Sequence, residues 1–334
     1  MRKAILMILV MLTVLIPLRY VEANQTIMYV EPHLSTVEIF TTFKINISVS
    51  QVVDLAAWEF KLYYKNAYLN ATQIQEGSFL KTAGETSFFI KEFNDTYNAT
   101  HGRIWAFCTL LGQGSGATGN GTLAMITFKA KLNGIATLKL AETDMLDSEM
   151  PPNHINHTTA DGKVKILGHD IAVTNVNPLK TIVGQNLHTS INVTIENQGD
   201  FTEIFNATVY ANTTLIETKK STLTNGSSTI LTFSWNTSGF AKGIYILWVY
   251  AWPVPSEIDT GDNTCVSGVV TVTIQGDIDG DFDVDIYDVV KITGIYGFVR
   301  ADPEFNPNSD LDEDGEITIY DVVMCTSHYG EIDP

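Results

Sequence analysis

A mostly β chain is what this sequence of 334 residues predicts: two tandem β-sandwiches followed by a small α-helical unit. Apolar and polar residues alternate with a period of two, strand after strand, as far as Ile274, without a long helical repeat. Beyond Gly276 the composition changes abruptly. There, 16 Asp and Glu stand against Lys291 and Arg300, a net charge of −14 in 59 residues. The whole chain carries −18, so most of the acidity belongs to this last segment. At roughly 100–200 residues per domain, the length suits three units. A hydrophobic content of 45% excludes global disorder, and the acidic balance argues against nucleic-acid binding, which needs clustered Lys and Arg.

The first 23 residues read as a secretory signal. Arg2 and Lys3 precede an apolar run from Ala4 to Ile16, and Val21-Glu22-Ala23 supplies small residues for cleavage before Asn24. No other apolar stretch is long enough to span a bilayer, so the expected mature chain is secreted, without a membrane span, and held at the cell surface non-covalently. Asn-x-Ser/Thr sequons begin at Asn24, Asn46, Asn70, Asn94, Asn98, Asn120, Asn156, Asn192, Asn206, Asn212, Asn225 and Asn236. That is roughly three times chance and none lies in the acidic segment, which predicts a glycosylated exterior. Cys108, Cys265 and Cys325 fall one to each unit, too few for a disulfide framework; Cys108 reads as a buried apolar residue, and a Cys265–Cys325 link has no support in the spacing.

Residues 24–168 form the first unit. Phe43, Ile45, Ile47 and Val49 alternate with Lys44, Asn46 and Ser48, a strand with one buried face. Strand-like runs follow at 57–64, 87–91, 104–111, 123–132 and 137–140, punctuated by glycines, so eight or nine strands are expected. Trp58 and Trp105 read as core on this alternation. Tyr29-Val30-Glu31-Pro32, Val53 to Tyr64, Glu76-Gly77-Ser78-Phe79-Leu80, Gly119 to Ala130 and Asp161-Gly162-Lys163-Val164 together resemble the cohesin family. That resemblance implies a jelly-roll sandwich whose flat face receives a dockerin. A carbohydrate-binding module of the same fold class is the rival reading.

Residues 169–274 form the second unit. Ile191, Val193 and Ile195, then Leu231, Phe233 and Trp235, alternate with polar residues, and about seven short strands give an immunoglobulin-like pattern. Asp170-Ile171-Ala172-Val173, Val193 to Gly199 and Ala251 to Thr264 resemble the CARDB (cell-adhesion-related) family, which implies a spacer or adhesion module. Glu257, Asp259 and Asp262 read as a solvated acidic turn, with a bound cation as the alternative.

Residues 276–334 carry the most specific signal. Asp277, Asp279, Asp281, Asp283, Asp285 and Asp288 occupy positions 1, 3, 5, 7, 9 and 12 of a loop leading into a helix. Asp310, Asp312, Asp314, Glu316, Thr318 and Asp321 repeat the register 33 residues later. A hard cation needs such alternating oxygens on a tight loop, and so many carboxylates repel unless neutralised. The pair of loop–helix repeats resembles a dockerin with EF-hand-like calcium loops. The resemblance implies two calcium ions. The side-chain ligands would be Asp277, Asp279, Asp281 and Asp288 in the first loop and Asp310, Asp312, Asp314 and Asp321 in the second. Asp283 and Glu316 would give backbone carbonyls, and Asp285 would act through water. Position 6 is Gly315 in the second loop but Phe282 in the first, which predicts a strained and weaker first site. Ile286-Tyr287 and Ile319-Tyr320 stand where dockerins face their cohesin, which implies near two-fold symmetry and partner contact; packing between the two helices is the alternative.

No catalytic constellation appears: the seven histidines are scattered and His154-Ile155-Asn156-His157 lacks the spacing of a zinc helix. The expected function is therefore non-enzymatic extracellular assembly or adhesion. The partners would be cohesin- or dockerin-bearing proteins, or another copy of the chain head to tail. The alternative is a carbohydrate-binding protein, polysaccharide its ligand, mounted through its dockerin; a small hydrolase comes third.

Overall fold

The structure is a computed structural model that describes residues 25–112 and 114–333; the signal segment, 1–23, lies outside them. Ten strands make the first unit: β1 (Ile27–Glu31), β2 (Leu34–Glu38), β3 (Thr42–Lys65), β4 (Leu69–Glu76), β5 (Thr86–Asn94), β6 (His101–Leu110), β7 (Ala117–Ala130), β8 (Gly134–Asp147), β9 (Thr158–Ala160) and β10 (Gly162–Leu167). The chain thus has more strands than expected there, because β2 and β9 are short edge pieces that pair in parallel with β10 and β1.

Strand β3 ties the sandwich together. Its first half pairs with β1 and β7, its second half with β6 and β8. Between them Gln51 and Asp54 take left-handed φ of 56° and 59°, which turns the strand from one layer into the other. The strain is offset locally: the Asp54 carboxylate accepts from the Gly116 N–H (2.5 Å) and the Ser148 hydroxyl (2.8 Å). Ile45, Ile47 and Val49 point inward as the alternation requires, and Trp58, Phe60, Leu62 and Tyr64 continue the core past the bend.

The second unit is a sandwich of eight strands: β11 (Ile171–Pro178), β12 (Ile182–Gly184), β13 (His188–Asn197), β14 (Glu203–Ala211), β15 (Thr214–Leu223), β16 (Ser228–Asn236), β17 (Gly243–Ala251) and β18 (Thr264–Thr273). A sheet ordered β11-β13-β16 faces one ordered β12-β18-β17-β14-β15. Ile191, Val193, Ile195, Phe233 and Trp235 fill the space between them.

Two short helices, α1 (Ile286–Gly294) and α2 (Ile319–Thr326), form the last unit. Its small core of Ile278, Val284, Ile292, Leu311, Ile317 and Cys325 also recruits Ile274 from the end of the second unit. Cys325 is buried with its thiol 3.4 Å from the Gly276 carbonyl, and all three cysteines are unpaired, so no Cys265–Cys325 bridge forms.

Candidate functional site

Each acidic loop is fastened by its first and last carboxylates. Asp277, 3% exposed, accepts from the N–H groups of Gly280 (2.6 Å) and Phe282 (2.9 Å) and from the Thr273 hydroxyl (2.5 Å). Asp288 accepts from Ile278 (2.8 Å) and from Asp285 (2.9 Å). The second loop repeats this: Asp310 accepts from Gly315 (3.1 Å), and Asp321 from Leu311 and Thr318 (2.7 Å each). Asp288 and Asp321 therefore serve twice, closing the loop and completing a capping box in which Asp285 or Thr318 caps the helix. Asp285 spends one oxygen on the Tyr287 N–H (2.7 Å).

Carboxylate oxygens of Asp277, Asp279 and Asp281 lie within 4.8 Å of one another, as do those of Asp283, Asp285 and Asp288, and those of Asp310, Asp312 and Asp321. The first loop thus gathers its acids into two trios. Asp314 turns an oxygen to the Glu316 N–H (2.9 Å), and the Glu316 side chain is exposed. Four carboxylate oxygens of these loops are buried without a hydrogen-bond partner: Asp279 Oδ1, Asp283 Oδ1, Asp310 Oδ1 and Glu313 Oε1. Orphaned buried carboxylate oxygens are costly. Burial, with Asp288 acting on Asp277 and Asp321 and Asp312 on Asp310, pushes both of these carboxyls above the usual carboxylate range, although hydrogen bonds and, for Asp310, Lys180 oppose the shift. An all-oxygen donor set with unsatisfied inward lone pairs fits a hard divalent cation.

The backbone revises the expectation about strain. Positions 4 and 6 of both loops are left-handed: Gly280 (φ 79°) and Phe282 (74°) in the first, Glu313 (63°) and Gly315 (90°) in the second. Each loop therefore has one glycine where the turn requires it and one residue strained by a Cβ. Phe282 no longer singles out the first site, because Glu313 carries the matching strain in the second.

Residues far away in sequence complete the second loop. Lys180, 2% exposed, reaches from the second unit, donates to the Asp310 carbonyl and lies 3.3 Å from Glu313 Oε1. Asn308 Oδ1 accepts from the backbone of Thr181 (3.0 Å) and Ile182 (3.2 Å). No local pattern marks Lys180; only the fold brings it there.

Ile286 and Ile319 are 53% and 54% exposed, and Tyr287 and Tyr320 are both 69% exposed. These four side chains do not pack between the helices. Val289, Ile292, Val322 and Cys325 do, from the opposite faces. Val290 and Val323 extend each exposed apolar stripe by one turn.

The first sandwich has a second candidate face, the outer side of β5, β6, β3 and β8. Arg103, Trp105 and Phe107 point out while Ile104, Ala106 and Cys108 point in. Trp105 is therefore not core. Its Nε1 donates to Glu59 (2.7 Å), and Lys61 Nζ sits 4.3 Å above its ring. Arg103 covers Tyr97 at 3.8 Å and pairs with Glu92; Phe89 stacks on Phe107 at 5.0 Å. A shallow groove beside them is lined by Ala57, Glu59, Phe107, Thr109, Asp144 and Leu146. Both faces of β6 are apolar, so sequence alternation alone leaves its phase ambiguous.

No curated protein matches the chain. Its solved neighbours include a non-cellulosomal cohesin from the hyperthermophilic archaeon Archaeoglobus fulgidus, 14% identical, covering 43% of this chain and 92% of that one at a TM-score of 0.34. The seventh ScaB type I cohesin from Pseudobacteroides cellulosolvens is 18% identical over 42% of this chain and 92% of its own, TM-score 0.35. A CARDB domain from Pyrococcus furiosus, described in complex with di-metal ions, is 22% identical over 32% of this chain and 96% of its own, TM-score 0.28. The family model that matches is that of the cohesin domain, over residues 41–166, so the first sandwich carries a cohesin domain.

Proposed function

We propose that this chain is a non-enzymatic extracellular assembly protein with two docking ends. The outer face of β5, β6, β3 and β8 receives a dockerin-bearing partner, and the last unit acts as a dockerin toward a cohesin, another copy of this chain included. The observation that carries the reading is the presence, in one chain, of a cohesin domain and of two helices presenting the same exposed Ile-Tyr-x-x-Val stripe. Exposed apolar and aromatic side chains of this kind suit an interface. Two calcium ions belong to the reading, one in each loop. Asp277, Asp279, Asp281 and Asp288 would hold the first with the Asp283 carbonyl, and Asp310, Asp312, Asp314 and Asp321 the second with that of Glu316. Bound calcium supplies the positive charge that lets these carboxylates share a loop. The protein's own contribution is to place the position 1 and 12 carboxylates by backbone hydrogen bonds and to start each helix from its loop.

Export follows from the reading of residues 1–23, and the eleven described sequon asparagines all lie at sites that are not buried, which supports a glycosylated exterior. Contacts between unlike ends build rings or open chains of copies, so the test is the size of the full-length chain in solution. Sedimentation velocity in calcium should show assemblies that dissolve in chelator and that a variant carrying Ile286→Asp, Tyr287→Asp, Ile319→Asp and Tyr320→Asp does not form. A monomer in calcium would sink self-assembly; failure to bind any cohesin or dockerin as well would sink docking altogether. The half-buried Trp105 on the open sheet supports the second reading, a polysaccharide-binding face, which a glycan screen of the same chain decides.

A further inference from the structure

The second sandwich holds an acidic cluster that belongs to neither docking end. Asp170 precedes β11, and the loop from β17 to β18 carries Glu257, Asp259, Asp262 and Asn263. The fold brings these segments together: the Val173 N–H donates to the Asp262 carbonyl (2.9 Å), and the Ile171 N–H to Glu257 Oε1 (2.8 Å). Among the described residues no Lys or Arg pairs with any of these four acids.

The carboxylates divide into two kinds. Glu257 is fully used: Oε1 also accepts from Asn263 Nδ2 (3.2 Å), and Oε2 from the Val254 N–H (2.7 Å). It anchors the loop. Asp170 Oδ1 and Asp262 Oδ1 are buried and accept nothing. Neither does the oxygen of Asn263, a residue 0% exposed whose amide nitrogen is turned to Glu257 and to the Ala251 carbonyl (3.2 Å). An asparagine held this way keeps its oxygen facing inward with no donor. A solvated turn does not leave three oxygens buried and unpaired.

We infer that Asp170, Asp262 and Asn263 supply oxygen ligands to a hard divalent cation, calcium by its donor set, bound within the second sandwich at a site distinct from the two acidic loops. Asp259, exposed, adds charge beside it, and Glu257 positions both segments. The orphaned oxygens and the lack of a protein cation beside them agree on one occupant, with water completing its shell.

Calcium binding to the full-length chain, counted by equilibrium dialysis, tests this. A chain in which Asp277→Asn and Asp310→Asn disable both acidic loops should still bind one ion. Adding Asp262→Asn should abolish that last ion, and Asp170→Asn should weaken it at least tenfold. In chelator Asp262→Asn should melt no lower than its parent, because it relieves repulsion and breaks no hydrogen bond of Oδ1; a purely structural role would lower melting equally with and without calcium. If the loop-disabled chain binds no ion while the parent chain binds two, the inference falls and the loops stand. If the parent chain binds one ion and Asp262→Asn removes it, the loops fall and this site stands.

Discussion

Phe282→Gly and Glu313→Gly are a matched pair of substitutions, and the structure says their effects should match. Phe282 at position 6 of the first loop and Glu313 at position 4 of the second are each left-handed, at φ 74° and 63°. The geometry at position 6 is enforced, since the Phe282 N–H must turn back to Asp277 (2.9 Å), as Gly315 does to Asp310 (3.1 Å). A left-handed residue with a Cβ costs about 1–2 kcal/mol. Glycine returns some of that, because it raises the entropy of the unfolded chain by about 0.4–1 kcal/mol. The net gain is about 1 kcal/mol, and at 1.4 kcal/mol per tenfold that is about a fivefold tighter ion in the loop that carries the substitution. Amide resonances of Asp281 and Asp314 report the two loops separately, so a calcium titration by NMR reads both in one sample. Each variant should tighten its own loop and leave the other unchanged. If Phe282→Gly tightens the first loop while Glu313→Gly does nothing to the second, strain at position 4 is not felt, and the expectation of a weaker first site returns.

Chelation should melt α1 and α2 while both sandwiches stay folded, seen as loss of amide protection in 276–333 alone, because six carboxylates in the first loop repel without a counter-ion. Lys180→Met should loosen the last unit from the second by about 1–2 kcal/mol, since it leaves the Asp310 carbonyl and Glu313 without their partner; unchanged hydrogen exchange at Asn308 to Glu313 would refute this. Gly102→Ala should destabilise the first sandwich by about 1–3 kcal/mol in thermal unfolding, because its Cβ would overlap the fully buried Tyr64 ring. Trp105→Ala should leave stability nearly unchanged but weaken partner binding at the sheet face, whereas Trp58→Ala should cost about 3–5 kcal/mol of stability.

What could be read from the sequence and what could not follow the range of the interactions. Ile45, Ile47 and Val49 announce their strand because burial on one face imposes a period of two within a few residues. The register of the acidic loops is legible for the same reason: the carboxylates alternate within twelve residues, and the second copy repeats the first. Alternation alone cannot phase Trp105, because β6 places apolar residues on both faces, Ile104 and Ala106 toward the core, Trp105 and Phe107 toward solvent. The left-handed position 4 was hidden because the first loop fills it with Gly280, where it costs nothing, so only Glu313 reveals it. Lys180 and Asp170 carry no local pattern at all; each acquires its role from a segment some 90 to 130 residues away.

Those two residues also show how the three units differ in their dependence on charge. The first sandwich is held by a continuous apolar core. Among its described residues the last unit buries only Ile278, Val284, Ile292, Leu311, Ile317 and Cys325 as apolar side chains, with Ile274 lent by the second sandwich, a core too small to offset the ordering of some 58 residues. Stability there must come from elsewhere, and two sources are visible: the backbone hydrogen bonds that Asp277, Asp288, Asp310 and Asp321 accept, and the seat that Lys180 and Asn308 provide on the second sandwich. Both depend on buried carboxylates or carbonyls remaining neutralised. The exposed Ile-Tyr stripes of α1 and α2 can thus be presented in register only while that neutralisation holds, so docking by this unit and its folding should be lost together, at the same calcium concentration.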